Sequence, residues 1–233
     1  MNAYTLGRGR GLPAPVVIRV LPFVVFIGLM ALEPWLGRQL DGVIDPRWLY
    51  GIRATLVAGL LLLFWRNFAE LSGARRPAIQ ELLLAFGIGL LVLVIWLTLD
   101  TGFFVLGQSG SGFDPHAADG GLDWSLAFMR LAGSALVVPI MEELFWRSLV
   151  MRWLDDADFS SLAPARVGLR ALLLSSLAFG LEHSQWAAGI LAGLAYGWLY
   201  MRSGNLWVAV MAHAVTNAGL GFWVLATGAW YFW

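Results

Sequence analysis

The chain has 233 residues, of which 59% are hydrophobic and only 13% charged, and its formal net charge is zero. A soluble domain carries about 25% charged residues, and here the apolar residues fall in runs long enough to cross a hydrocarbon core, which takes about 20 residues of helix. There is no cysteine, which excludes disulfides, thiolate metal sites and a thiol nucleophile. Every basic residue is an arginine, and no basic tail suggests nucleic acid as a partner. The composition predicts an all-α, polytopic transmembrane helical bundle of seven to eight helices, forming a single domain over 1–233.

In chain order, Arg8 and Arg10 precede an apolar stretch, as in a signal sequence. No small-x-small cleavage site follows and further spans come after, so a retained first helix is expected. Spans are predicted near 16–36, 50–68, 79–99, 124–151, 167–183, 186–202 and 205–220. The apolar tail 221–233 is either a continuation of the last span or an eighth helix. The loop near 100–123 is rich in Gly, Ser and Asp and reads as flexible. Small residues in "AAGILAGLAYG" (187–197) predict close packing of the sixth span.

Arginine in the loops sets orientation. Arg66, Arg75 and Arg76 follow the second span, Arg152, Arg166 and Arg170 the fourth, and Arg202 the sixth, whereas the 100–123 loop has no basic residue. This alternation puts the N-terminus in the cytoplasm, and the cell's inner (plasma) membrane is the expected location. Arg38 and Arg47 in the first outer loop weaken the pattern without reversing it.

The fourth span contains "VVPIMEELFWRSLV" (137–150), with two adjacent glutamates in an oily context. An ionisable group near a bilayer centre costs on the order of 2.5–3.5 kcal/mol on insertion scales, so it is paired, lines a wet cavity or does chemistry. Glu143 and Arg147 are four apart, share a helix face and can pair. Glu142 points towards the face of Val138 and Trp146 and is compensated less directly. Pro139 cannot donate to the helix ladder, and a kink is expected there. In the fifth span, "SSLAFGLEHSQW" places His183 four residues after Phe179 on one face, and its neighbour Glu182 is expected to face headgroups. In the seventh, "LWVAVMAHAVTNAGLGF" places His213 and Asn217 four apart, deep in the span.

One unpaired carboxylate, two histidines and an amide drawn from three helices make up a hydrolytic set. A carboxylate in a partly wet, low-dielectric cavity is suited to taking a proton from water. An imidazole can share that water or pass a proton to a leaving amine, and a second imidazole with an amide N–H can hold an oxyanion. No serine, cysteine or aspartate pair is equally well placed as a nucleophile.

The ordered trio "EELFWR" (142–147), "FGLEH" (179–183) and "HAVTN" (213–217) resembles the CAAX prenyl protease and bacteriocin-processing family of intramembrane proteases. The surrounding "VVPIMEELFWRS", "AGLAYGWLY" and "NLWVAVMAHAVTN" resemble its bacterial subgroup associated with exosortase-type C-terminal sorting. The resemblance covers residues 142 to 217, the catalytic half, and the first three spans carry no family signature. It implies a bundle of about eight helices and peptide-bond hydrolysis at or within the membrane, with no requirement for a prenylated substrate. It also implies that Glu142 activates water with His183, that His213 and Asn217 stabilise the oxyanion, and that Glu143, Arg147 and Phe179 support the site. The implied partners are the lipid bilayer and a membrane-anchored peptide or protein, with a C-terminal sorting segment as one candidate.

Three alternatives stay open. Glu142, His183 and His213 have the composition of a two-histidine, one-glutamate zinc site, although the His-Glu-x-x-His helix of zincins is missing, so a cofactor-free mechanism is favoured. Buried Glu and His also form proton relays in transporters, but no repeat or pair of broken helices supports one here. A non-catalytic membrane scaffold or bacteriocin-immunity protein is the third.

Overall fold

A computed structural model describes residues 14–107 and 112–233. Arg8, Arg10 and part of the 100–123 loop lie outside the described residues. Its regular structure is all helix, with no strand among the described residues. Its helices are α1 (Ala14–Gln39), α2 (Trp48–Leu63), α3 (Ala69–Ser72), α4 (Ile79–Thr98), α5 (Trp124–Met151), α6 (Leu169–Leu181), α7 (Trp186–Ser203) and α8 (Leu206–Thr227). Of these, α1, α4, α5 and α8 are long and apolar enough to cross a membrane.

α2 ends at Leu63, short of the expected 68. The tail takes the first of its two expected forms, a continuation of the last span, and there is no eighth crossing there among the described residues. α8 runs on to Thr227, Gly228 ends it in the left-handed conformation, and Trp230–Phe232 close as one 3-10 turn. The Phe113 amide donates to the Trp233 carbonyl at 3.0 Å, folding the tail back over the bundle. The fifth span is also shorter than expected. α6 has 13 residues, a rise of about 20 Å against a hydrocarbon core of about 30 Å, so it does not cross alone.

α6 stops because residues 182–185 are pinned as a turn by neighbouring segments. Gln185 Nε2 donates to the Trp96 carbonyl at 2.9 Å, and the Leu106 amide donates to the Ser184 carbonyl at 2.7 Å. Beyond the turn, α7 packs on α6 through the small-residue stripe. A Cβ on Gly189 would lie 2.8 Å from the Gly180 Cα, and one on Gly193 would lie 2.9 Å from the Ser176 Cα. α8 is tied to α4 and α7 through Thr216, whose Oγ1 lies 2.8 Å from the Gly89 carbonyl and accepts from Tyr196 Oη at 2.7 Å.

Besides Arg147, Arg19 of α1, Arg53 of α2 and Arg130 of the first half of α5 lie within helices of the bundle rather than in loops. Arg19 forks onto Glu70 through Nε (2.8 Å) and Nη2 (2.7 Å), and Ser148 also donates to that carboxylate. Burial pushes the Glu70 carboxyl up, but the Arg19 and Ser148 hydrogen bonds outweigh it and hold the group below the usual carboxylate range. Arg53 pairs with Glu33 at 2.8 Å. Arg130 is the third.

The close α6–α7 contact gives a direct test. Gly193→Ala forces Ser176 and the helix backbone apart and should cost about 1–3 kcal/mol, the usual range for overpacking. Gly87→Ala, which meets nothing within 4 Å, should leave thermal unfolding in detergent unchanged or slightly raised. Equal melting temperatures for the two variants would show that the helices do not approach there.

Candidate active site

The site is built on α5, which is not a regular α-helix. Asp123 caps its start, accepting from the amides of Ser125 (2.9 Å) and Leu126 (3.1 Å). The backbone then widens into π-helical turns over Gly133–Val137 and again over Glu143–Met151. Pro139 has no N–H to offer the carbonyl four residues before it, so the ladder is rearranged at this point. The expected irregularity at Pro139 thus takes the form of wide turns, which recur at functional sites in helices.

Glu142 and Glu143 diverge from this segment into different surroundings. Glu143 is fully buried at 0% exposure and sits between an imidazole and a guanidinium. His213 Nδ1 donates to its Oε1 at 2.9 Å. Arg147 Nε lies 3.1 Å from its Oε2, an ion pair not aligned as a hydrogen bond. The Arg147 guanidinium is itself held between rings, 4.2 Å from the centroid of Phe179 and 5.4 Å from that of Tyr196. Glu143 therefore contacts Arg147 as its spacing implied, and it also grips a histidine 70 residues away, which spacing could not reveal.

Glu142 faces a cavity instead. Its Oε2 has no hydrogen-bond partner among the described residues and stands 3.8 Å from His213 Nε2. His213 is thus bracketed by the two glutamates, one at each ring nitrogen. A carboxylate only accepts, so the hydrogen on Nδ1 is assigned by Glu143, and Nε2 is turned towards Glu142. Tyr196 stacks on the ring at 4.9 Å and 19°, fixing its plane.

His183 lies in the turn after α6. Its Nδ1 donates to the Phe179 carbonyl at 2.8 Å, which assigns the tautomer in the same way and leaves Nε2 free. Trp96 and Phe179 hold its ring at 5.4 and 4.7 Å. Asn217 Nδ2 donates to the Ser134 carbonyl at 2.9 Å, within the first π turn of α5. Since that partner can only accept, the amide nitrogen is the group on Ser134, and one of its two N–H bonds remains.

Glu142, Phe179, His183, His213 and Asn217 all line one cavity of about 210 Å³, whereas Glu143 and Arg147 stay behind its wall. That volume holds several waters. Other lining residues, Arg130, Ser134 and Tyr196 among them, had no signal in helical spacing. Glu182 does not simply face outward as expected: it is half-buried and accepts from Trp146 Nε1 at 2.9 Å. Among the described residues, no three His, Asp or Glu side chains converge as a metal site. Glu142, His183 and His213 as placed do not fit a zinc ion, and no step below uses one.

The shared grip on Glu143 predicts non-additive energetics. Arg147→Gln strands a buried carboxylate with only His213, and should cost about 3–5 kcal/mol, as for a broken buried pair. Adding Glu143→Gln removes the stranded charge, so the double variant should recover part of that loss in thermal unfolding. Losses that simply sum would show that the two groups do not interact.

Residues 124–219 match the family model described as "Rce1-like: Type II CAAX prenyl endopeptidase Rce1-like". The matched segment runs from the start of α5 into α8, and includes all four polar cavity residues from "Sequence analysis". No curated protein and no solved structure matches the chain.

Proposed function

We propose that the chain is an intramembrane endopeptidase of the Type II CAAX prenyl endopeptidase kind, acting on a membrane-anchored peptide or protein. The observation that carries the proposal is the unpartnered Glu142 carboxylate, facing His213 Nε2 across a water-sized cavity inside a helical membrane bundle. The similarity of residues 124–219 to that family supports it independently.

In this mechanism a water sits against Glu142 and the free Nε2 of His183. Glu142 takes its proton as the oxygen attacks the scissile carbonyl carbon, forming a tetrahedral intermediate. His213 donates from Nε2 to the oxyanion in its doubly protonated form, whose charge Glu143 offsets at Nδ1, as a buried acid does for a catalytic imidazole. Asn217 supplies its remaining amide N–H. The C–N bond then breaks, and the proton held by Glu142 passes to the leaving amine. Arg147 keeps Glu143 charged and in place. The mechanism requires no metal, and a C-terminal sorting segment is one substrate that suits it.

Glu142→Gln keeps shape and packing but removes the base, so cleavage of a membrane substrate should fall by orders of magnitude with little change in melting temperature. Mass spectrometry of the product termini reads the activity. The wild type should be equally active after a strong chelator. One zinc per chain, with activity lost on stripping and regained on reloading, would overturn the metal-free mechanism. Full activity in Glu142→Gln would overturn the role of Glu142.

We also propose that the N-terminus is cytoplasmic, so that the 152–166 loop is inside and the 100–123 loop outside. The chain has no cysteine, so single cysteines can be introduced and labelled from either side. His116→Cys should react with an impermeant reagent from outside and Ser160→Cys only after the cytoplasmic face is opened. The reverse pattern would invert the orientation.

A further inference from the structure

The last turns of α1 and the first turns of α2 and α5 enclose a second cavity, of about 500 Å³, that takes no part in the chemistry above. Glu33, Tyr50, Arg53, Phe113, Asp114 and Arg130 are among its lining residues. Two guanidinium groups share it around one phenol ring: Arg130 stands 4.0 Å from the Tyr50 ring centroid and Arg53 5.1 Å. One carboxylate answers both. Arg53 Nη1 donates to Glu33 Oε2 at 2.8 Å, whereas no carboxylate forms an ion pair with Arg130 among the described residues. At the rim, Arg47 is bonded to Asp45 and Asp114 to His116. Residues 1–13 and 108–111 contain no Asp or Glu, so no acid side chain in those segments can serve.

These polar groups are poorly satisfied for their burial. Tyr50 is 2% exposed and Arg53 5%. Tyr50 Oη and the Nε atoms of Arg53 and Arg130 are closed off from solvent without a hydrogen-bond partner among the described residues. Arg53 Nη2 and both Nη atoms of Arg130 also lack a protein partner there but are not closed off, so a ligand in the cavity can reach them. Gly133 allows the crowding, since a Cβ on it would lie 2.8 Å from Tyr50 Oη. Two like charges beside one ring repel each other, and ring faces compensate a buried cation only in part. One anion between them would offset both, and guanidinium donors arriving from two helices suit the several oxygens of a phosphate group.

We propose that this cavity binds the phosphate of an anionic phospholipid, with Arg53 and Arg130 as the binding residues. Depth favours a lipid over a soluble anion. Glu33 lies six residues before the end of α1, Arg53 five after the start of α2 and Arg130 six after the start of α5. Each is roughly 8–9 Å inside its helix end, near the level where hydrocarbon gives way to headgroups. The same two helices, α2 and α5, also form an apolar groove lined by Trp48, Ile52, Leu56 and Met129, where an acyl chain can lie. The proposal does not depend on the proteolytic reading.

The test uses the full chain in a neutral maltoside detergent, titrated with dihexanoyl phosphatidylglycerol, with binding read from the saturable rise in melting temperature. Inorganic phosphate and dihexanoylglycerol are titrated in parallel. The phospholipid should bind about tenfold or more tighter than either, because only it offers both charge and acyl chains. Arg53→Gln and Arg130→Gln should each weaken its binding about tenfold, as when a charge-assisted hydrogen bond is lost. Glu33→Gln should bind it more tightly, since it frees Arg53 and removes a competing carboxylate. Arginines that merely brace the fold would give no such gain. Arg53→Lys and Arg130→Lys, which keep the charge without the fork, should bind with intermediate affinity and serve if the glutamine variants do not fold. Equal stabilisation by inorganic phosphate would overturn the proposal in favour of a soluble-anion site, and equal stabilisation by dihexanoylglycerol in favour of an apolar groove alone. No saturable binding, full binding by the arginine variants, or weaker binding by Glu33→Gln would overturn it as well.

Discussion

The Glu143 carboxylate, fully buried and shared between His213 and Arg147, is the contact on which the rest of the site depends. A lone carboxylate at such a place would be strongly disfavoured, and so would a lone guanidinium. Together with the imidazole they form a compact charged knot joining α5 to α8, with the rings of Phe179 from α6 and Tyr196 from α7 packed against Arg147. Four helices are thereby set in register around one point. The knot also fixes which nitrogen of His213 carries hydrogen, and so which nitrogen faces the cavity. Glu142, the residue just before it, is left without a partner because Glu143 has taken them.

The backbone of α5 makes this division of labour workable. In a regular helix two adjacent side chains differ by about 100°, and both would be hard to seat in one crowded bundle. The π turns on either side of Val138–Glu142 widen the helix and expose the Ser134 carbonyl to Asn217. The early end of α6 has a similar effect. It puts His183 in a turn instead of a helix, where its free Nε2 can reach the cavity and its Nδ1 is satisfied by Phe179. Irregular backbone of this kind is tolerated in a membrane protein where it is buried in protein or lines a cavity.

Much of the site was legible because the informative relations are local. Glu143 with Arg147, Phe179 with His183, and His213 with Asn217 are each four apart, and helical periodicity alone places each pair on one face. The small-residue stripe of α7 was readable for the same reason. Relations between helices were not. Nothing in spacing tells that His213 bonds Glu143, that Tyr196 stacks on His213, or that Trp146 holds Glu182. Arg19, Arg53 and Arg130 carry no such signal, because no acidic residue lies three or four positions from any of them in α1, α2 or α5. The tail was ambiguous in sequence because its apolar residues suit either a continuation of the last span or an eighth helix. The span continues to Thr227, and the Gly228 break and the Phe113–Trp233 hydrogen bond then fold the last residues back.

The central claim is that Glu143 holds the Nδ1 hydrogen of His213 in the neutral and the doubly protonated ring alike, so that Nε2, once it is protonated, donates beside Glu142. The chain has three histidines, and a protein labelled with nitrogen-15 histidine in detergent would give a spectrum simple enough to assign by substituting each in turn. The account predicts that His213 carries its hydrogen on Nδ1, that its Nδ1 signal shows a strong hydrogen bond, and that Glu143→Leu abolishes that signature while leaving His183 unchanged. A His213 ring with hydrogen on Nε2 alone, or one indifferent to Glu143→Leu, would contradict it.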